Sequence, residues 1–99
     1  MTRYAKRVDQ NQPAIVKALR ERGVKVYVAS AAGKGMTDLV CFYRGLTVLA
    51  EVKDGAKSPS RQGLTLDQIE LHELAATAGV GIPIFNSVDS AITYFGFAS

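Results

Sequence analysis

The stretch Thr47-Val48-Leu49-Ala50-Glu51-Val52-Lys53 is the tightest constraint in the chain, an apolar strand that ends in a carboxylate and an ammonium. Alternation along a strand places Thr47, Leu49, Glu51 and Lys53 on one face and Val48, Ala50 and Val52 on the other. Glu51 and Lys53 therefore project from the same side, flanking the Val52 carbonyl. A second acid, Asp38, opens the preceding apolar run Leu39-Val40-Cys41-Phe42-Tyr43. Arg44-Gly45 separates the two runs, and Gly45 offers the positive φ that a short hairpin needs. Paired as a hairpin, the runs bring Asp38 and Glu51 together at the open end. Two carboxylates and a carbonyl are hard oxygen donors suited to a divalent cation, and a lysine beside them can orient or neutralise a phosphate. Singly, Asp38 reads as a turn residue and Glu51 and Lys53 as an exposed ion pair. Their coincidence at one end of an apolar hairpin favours a site.

At 99 residues, 47% of them hydrophobic, the chain is expected to form one domain, residues 1–99, with a core of its own. No apolar run reaches the roughly 18 residues of a membrane helix, and the N-terminus carries no signal-peptide pattern. The single cysteine, Cys41, lies inside an apolar strand and reads as a small core residue. One cysteine permits no internal disulfide, which suits a reducing cytoplasm. Twelve basic residues against nine acidic ones give a net charge of +3, compatible with a nucleic-acid partner.

Residues 1–10 form a polar, basic arm. A helix is expected over 11–22, with Asn11 as cap, Pro13 in the first turn and Gly23 as the stop. Ile15, Val16 and Leu19 form its buried stripe, and Gln12 lies on its first turn. Alternation predicts a strand over 24–30, with Val24, Val26 and Val28 on one side. Gly33 and Gly35 then mark a backbone that something approaches closely; Lys34 between them is a candidate phosphate contact. The Gly/Ser/Pro-rich loop over 54–64 carries Lys57 and Arg61, suited to a polyanion.

A second helix is expected over 65–78. Thr65 and Gln68 spell a capping box, which leaves open whether Gln68 serves the helix or the site. Ile69, Leu71, Leu74, Ala75 and Ala78 make its apolar side, and His72, one turn beyond Gln68, reads by default as structural or solvent-facing. A short strand over 82–86 follows, its Pro83 suiting an edge. Ser87 caps a last helix over 88–95. Tyr94, Phe95 and Phe97 are expected in the core, or at a dimer contact.

This order of elements, with Gly35-Met36-Thr37-Asp38-Leu39-Val40, Glu51-Val52-Lys53 and Gln68 in the following helix, resembles the PD-(D/E)XK nuclease superfamily. Within it the chain looks most like the small stand-alone VRR-NUC (virus-type replication-repair nuclease) domain of phages and prophages. Two departures stand out. Thr37 occupies the place of the family's proline, and the first helix offers Gln12, with Asp9 upstream, where many members carry a glutamate.

The resemblance implies an α/β restriction-endonuclease-like fold, with a central mixed sheet of about four strands flanked by helices. It implies metal-dependent hydrolysis of DNA phosphodiester bonds, selective for branched or Holliday-type junctions. Asp38, Glu51 and the Val52 carbonyl would hold Mg²⁺ or Mn²⁺, while Lys53 and Gln68 would complete the catalytic set. Gln12 is the first-helix candidate, and Lys34, Lys57 and Arg61 are the candidate DNA contacts. Oxygen donors without His or Cys partners point away from zinc. A homodimer in the cytoplasm of a bacterium or phage-infected host completes the expectation. The alternatives are a nicking or flap nuclease without junction preference, and a non-catalytic DNA-binding module with a nuclease fold.

Overall fold

The hairpin forms as the alternation requires. In the computed structural model, whose described residues are 10–33, 35–54 and 64–98, strand β2 (Leu39–Tyr43) pairs antiparallel with β3 (Leu46–Val52). Arg44 and Gly45 both take positive φ, 50° and 80°, the combination that matches a two-residue turn to the twist of its strands. Leu39 lies opposite Ala50, so the next pair outward is Asp38 and Glu51. Strand β1 (Lys25–Val28) adds antiparallel to β2, and β4 (Ile84–Phe85) adds parallel to the far side of β3. The result is a small α/β protein with a mixed four-stranded sheet in the order β1-β2-β3-β4. Pro83 falls just before the edge strand, where its missing N–H costs nothing.

One face of the sheet is the core. Helix α1 (Gln12–Glu21) buries Ile15, Val16, Ala18 and Leu19, and helix α3 (Val88–Tyr94) buries Ala91 and Ile92. These close on Leu39, Cys41, Ala50, Val52 and Phe85. Ser87 and Ser90 cap α3 reciprocally. Of the C-terminal aromatics, Phe95 and Phe97 pack inward: Phe95 lies edge-on to Tyr43 at 5.8 Å between centroids, and Phe97 lies 5.5 Å from the same ring. Tyr94, also expected in the core, is 49% exposed. Cys41 belongs to this core, and burial pushes its thiol up to about 11. At pH 8 only about one thiol in a thousand is then ionised, and thiolate is the reactive form. The folded protein should therefore resist a disulfide-exchange reagent at pH 8 and release the thiol on denaturation. Rapid stoichiometric labelling of native protein would contradict this placement.

Several expected features differ. The strand expected over 24–30 ends at Val28, because Ser30–Ala32 turns into a short 3₁₀ segment. Val24 is buried and Val26 packs against the core, but Val28 is exposed. Helix α2 (Leu66–Thr77) departs most. Its expected apolar side splits: Ile69, Leu74 and Ala78 are exposed, Leu71 and Ala75 are half-buried, and Gln68 is the one helix residue fully buried. The stripe that α2 turns inward mixes Gln68 and His72 with Leu71 and Ala75. Among the described residues no helix is long and apolar enough to cross a membrane.

Candidate active site

Glu51 is an acid with 0% of its surface exposed. It lies on the sheet face opposite the core, beneath α2. A carboxylate in that position requires donors, and α2 supplies two. Gln68 Nε2 donates to Glu51 Oε1 at 3.1 Å, and His72 Nε2 lies 3.1 Å from Oε2. An ionised Glu51 only accepts, so this contact calls for the Nε2–H form of His72. The spacing of four residues puts Gln68 and His72 one above the other on the helix, so α2 grips both oxygens of one carboxylate.

Gln68 does more than hold Glu51. Its Oε1 accepts from the Thr65 N–H at 3.0 Å while Thr65 Oγ1 accepts from the Gln68 N–H at 3.2 Å, completing the capping box. The same Oε1 accepts from Lys53 Nζ at 3.4 Å. One amide therefore starts the helix, orients the acid and holds the lysine. The sequence left capping and site as alternatives for Gln68; in the structure the capping amide also contacts Glu51 and Lys53.

Asp38 is buried at the mouth of the hairpin, and its Oδ2 accepts from the Val52 N–H at 2.8 Å. Within a strand the N–H and C=O of one residue point to the same edge. The Val52 carbonyl thus lies on the edge that faces Asp38, while Glu51 and Lys53 donate their N–H groups to Pro83 and Phe85 on the opposite edge. Gly35 helps to set this corner. Its φ is +74°, and a Cβ there would lie 2.9 Å from the Asp67 carbonyl oxygen. The close approach expected at this glycine is made by the first turn of α2.

Gln12 is buried, but its amide is engaged with Ser30: Nε2 lies 3.0 Å from Ser30 Oγ. Ser30 Oγ in turn lies 3.5 Å from the Asp38 backbone carbonyl, so Gln12 bears on the acids only at one remove. Asn11 does not cap α1 with its side chain, as was expected. Its Nδ2 instead donates to the carbonyls of Lys53, at 2.9 Å, and Asn86, at 3.1 Å. This ties the end of β3 to the segment after β4.

His72 and Asn11 are the residues that sequence reasoning undervalued. A histidine one turn after Gln68 was the available signal for the first; for Asn11 there was none, since a helix-cap role explained it fully. The candidate phosphate contacts Lys34, Lys57 and Arg61 lie outside the described residues, as does Asp9.

The donor chemistry fits a hard divalent ion. Asp38, Glu51 and the Val52 carbonyl are oxygen donors from two adjacent strands, short of a full octahedral shell, as Mg²⁺ and Mn²⁺ sites that retain water require. Among the described residues no group of three His, Cys, Asp or Glu side chains is placed to hold a metal. Compared with models of known protein families, with curated proteins and with solved structures, the chain gives no match.

Proposed function

We propose that the protein is a Mg²⁺- or Mn²⁺-dependent DNA endonuclease of the PD-(D/E)XK type, acting on branched or Holliday-type junctions. The observation that carries this reading is the meeting of two buried acids, Asp38 and Glu51, at the open end of one hairpin. Lys53 stands on the same face, held to Gln68. A fold gains little stability from placing two carboxylates at one corner; their desolvation is a cost that a bound cation offsets. The resemblance of Gly35–Val40, Glu51–Lys53 and Gln68 to the VRR-NUC pattern points the same way.

In this mechanism Asp38, Glu51 and the Val52 carbonyl would hold the divalent ion. When bound, that ion supplies Lewis-acid stabilisation of the phosphate and a more acidic water. Gln68 and His72 keep Glu51 in one orientation. Lys53, with Gln68 accepting one of its protons, directs its remaining N–H bonds to the attacking water or a phosphate oxygen. Lys34, Lys57 and Arg61 are the proposed counter-charges for the DNA backbone, and a homodimer would deliver two sites to a symmetric junction.

A non-catalytic DNA-binding module is the second reading. It is favoured by the first helix, whose Gln12 is engaged with Ser30 and adds no acid to the corner. Incubating the protein with a four-way junction, a flap and a plain duplex, in Mg²⁺, Mn²⁺ or EDTA, separates the two. Metal-dependent cutting that Glu51→Ala abolishes establishes the nuclease, and the ranking of substrates establishes its class. Junction binding without cutting in any metal would leave the module.

A further inference from the structure

The sheet face that carries Glu51 is covered by α2 only at the acid end. Farther along, two aromatic rings stand open: Tyr27 is 66% exposed and Phe42 46% exposed. Register places both on this face. Val40 lies opposite both Leu49 and Tyr27, Phe42 lies opposite both Thr47 and Lys25, and Asp38 with Glu51 continues the same row. Tyr27 and Phe42 are thus diagonal neighbours across β1 and β2, about 7–8 Å apart at their Cα atoms. Lys25 lies directly across from Phe42 and is exposed. Phe42 lies four residue steps along the strand from Asp38, roughly 13 Å.

We infer that Tyr27, Phe42 and Lys25 form a stacking platform for single-stranded DNA, leading away from the Asp38–Glu51 corner along the same sheet face. Solvent-exposed rings on an open sheet offer π-faces to unpaired bases, and a cation beside them meets the phosphate backbone. Charge selects this occupant over a second copy of the chain. The only acid within β1, β2 and β3 is Glu51, which is buried. A copy closing on this face would bury Lys25 with no carboxylate from the same strands to meet it. A polyanion supplies the opposite charge along its whole length. The platform rests on the nuclease reading for its continuity with the cutting site, and it gives that reading a direction: the unpaired arm of a flap or opened junction would lie toward β1.

The experiment measures binding of the full chain to a fluorescent oligothymidylate in EDTA, so that no cleavage enters. Stacking of about one base per ring predicts a loss of roughly tenfold in affinity for Tyr27→Ala and for Phe42→Ala, with Tyr27→Phe near wild type. Lys25→Glu should weaken binding and flatten its salt dependence. The chain has no tryptophan, so quenching of tyrosine emission on binding, lost in Tyr27→Phe, reports stacking directly. Wild-type affinity in Tyr27→Ala and Phe42→Ala, with thermal melting confirming that both fold, overturns the platform. So does a dimer that these variants dissociate without changing oligonucleotide affinity. Ring-dependent binding together with no cutting of any substrate in metal would retain the platform and remove the nuclease.

Discussion

Asp38→Asn should lower metal-dependent cleavage by at least about 10³-fold, equivalent to roughly 4 kcal/mol of transition-state stabilisation, while leaving the fold intact. The asymmetry follows from what Asp38 does in the structure. Its Oδ2 accepts from the Val52 N–H, and the carbonyl oxygen of asparagine can accept the same bond. The backbone anchor survives, but the charge is gone. Removing one of two neighbouring buried carboxylates also relieves repulsion in the metal-free protein, so the melting temperature in EDTA should be equal to or above that of wild type. The increase in melting temperature that Mg²⁺ or Mn²⁺ gives wild type should vanish. Thermal melts with and without metal, beside the cleavage assay, read all three effects. Undiminished cleavage by Asp38→Asn would remove Asp38 from the site.

Gln68→Ala should be the most destabilising single change on α2, by about 2–4 kcal/mol. The buried Glu51 Oε1 loses its Gln68 donor, a cost of roughly 1–3 kcal/mol, and the Thr65 N–H loses its reciprocal cap, worth about another 0.5–2 kcal/mol. Lys53 also loses the acceptor that holds it, so activity should fall beyond what stability explains. Gln68→Glu is the informative companion. It keeps the acceptor for Thr65 and Lys53 but sets a carboxylate oxygen against Glu51 Oε1, where Gln68 now places an N–H. It should therefore be no more stable than Gln68→Ala. Urea unfolding of the three proteins tests this, and a Gln68→Ala variant within about 0.5 kcal/mol of wild type would show the Glu51 contact to be inconsequential.

The two β-strands that make the site were legible because period-two alternation and a two-residue turn fix register completely: once Arg44-Gly45 turns the chain, Asp38 must face Glu51. The cap of α2 was legible for the same local reason, since Thr65 and Gln68 lie within one turn. What escaped was tertiary. Pattern assigned α2 an apolar side of Ile69, Leu71, Leu74, Ala75 and Ala78, of which only Leu71 and Ala75 are half-buried. The helix turns Gln68 and His72 inward beside them, because the buried Glu51 beneath demands donors. Asn11 misled in the opposite sense: a residue type that caps helices is here drawn to two carbonyls distant in sequence. His72 could not be ranked above a surface histidine until the helix was rotated by that demand.

The route of the chain also sets an order of assembly. Asp38 and Glu51 are joined by a tight antiparallel hairpin, whereas Gln68 and His72 reach them only on the crossover that carries the chain from β3 to its parallel partner β4. Short-range pairings close at little entropic cost, and crossovers close late. The acids should thus come together before the groups that hold Glu51 arrive. In partial unfolding the order should reverse, with the grip on Glu51 lost while the two carboxylates still face each other.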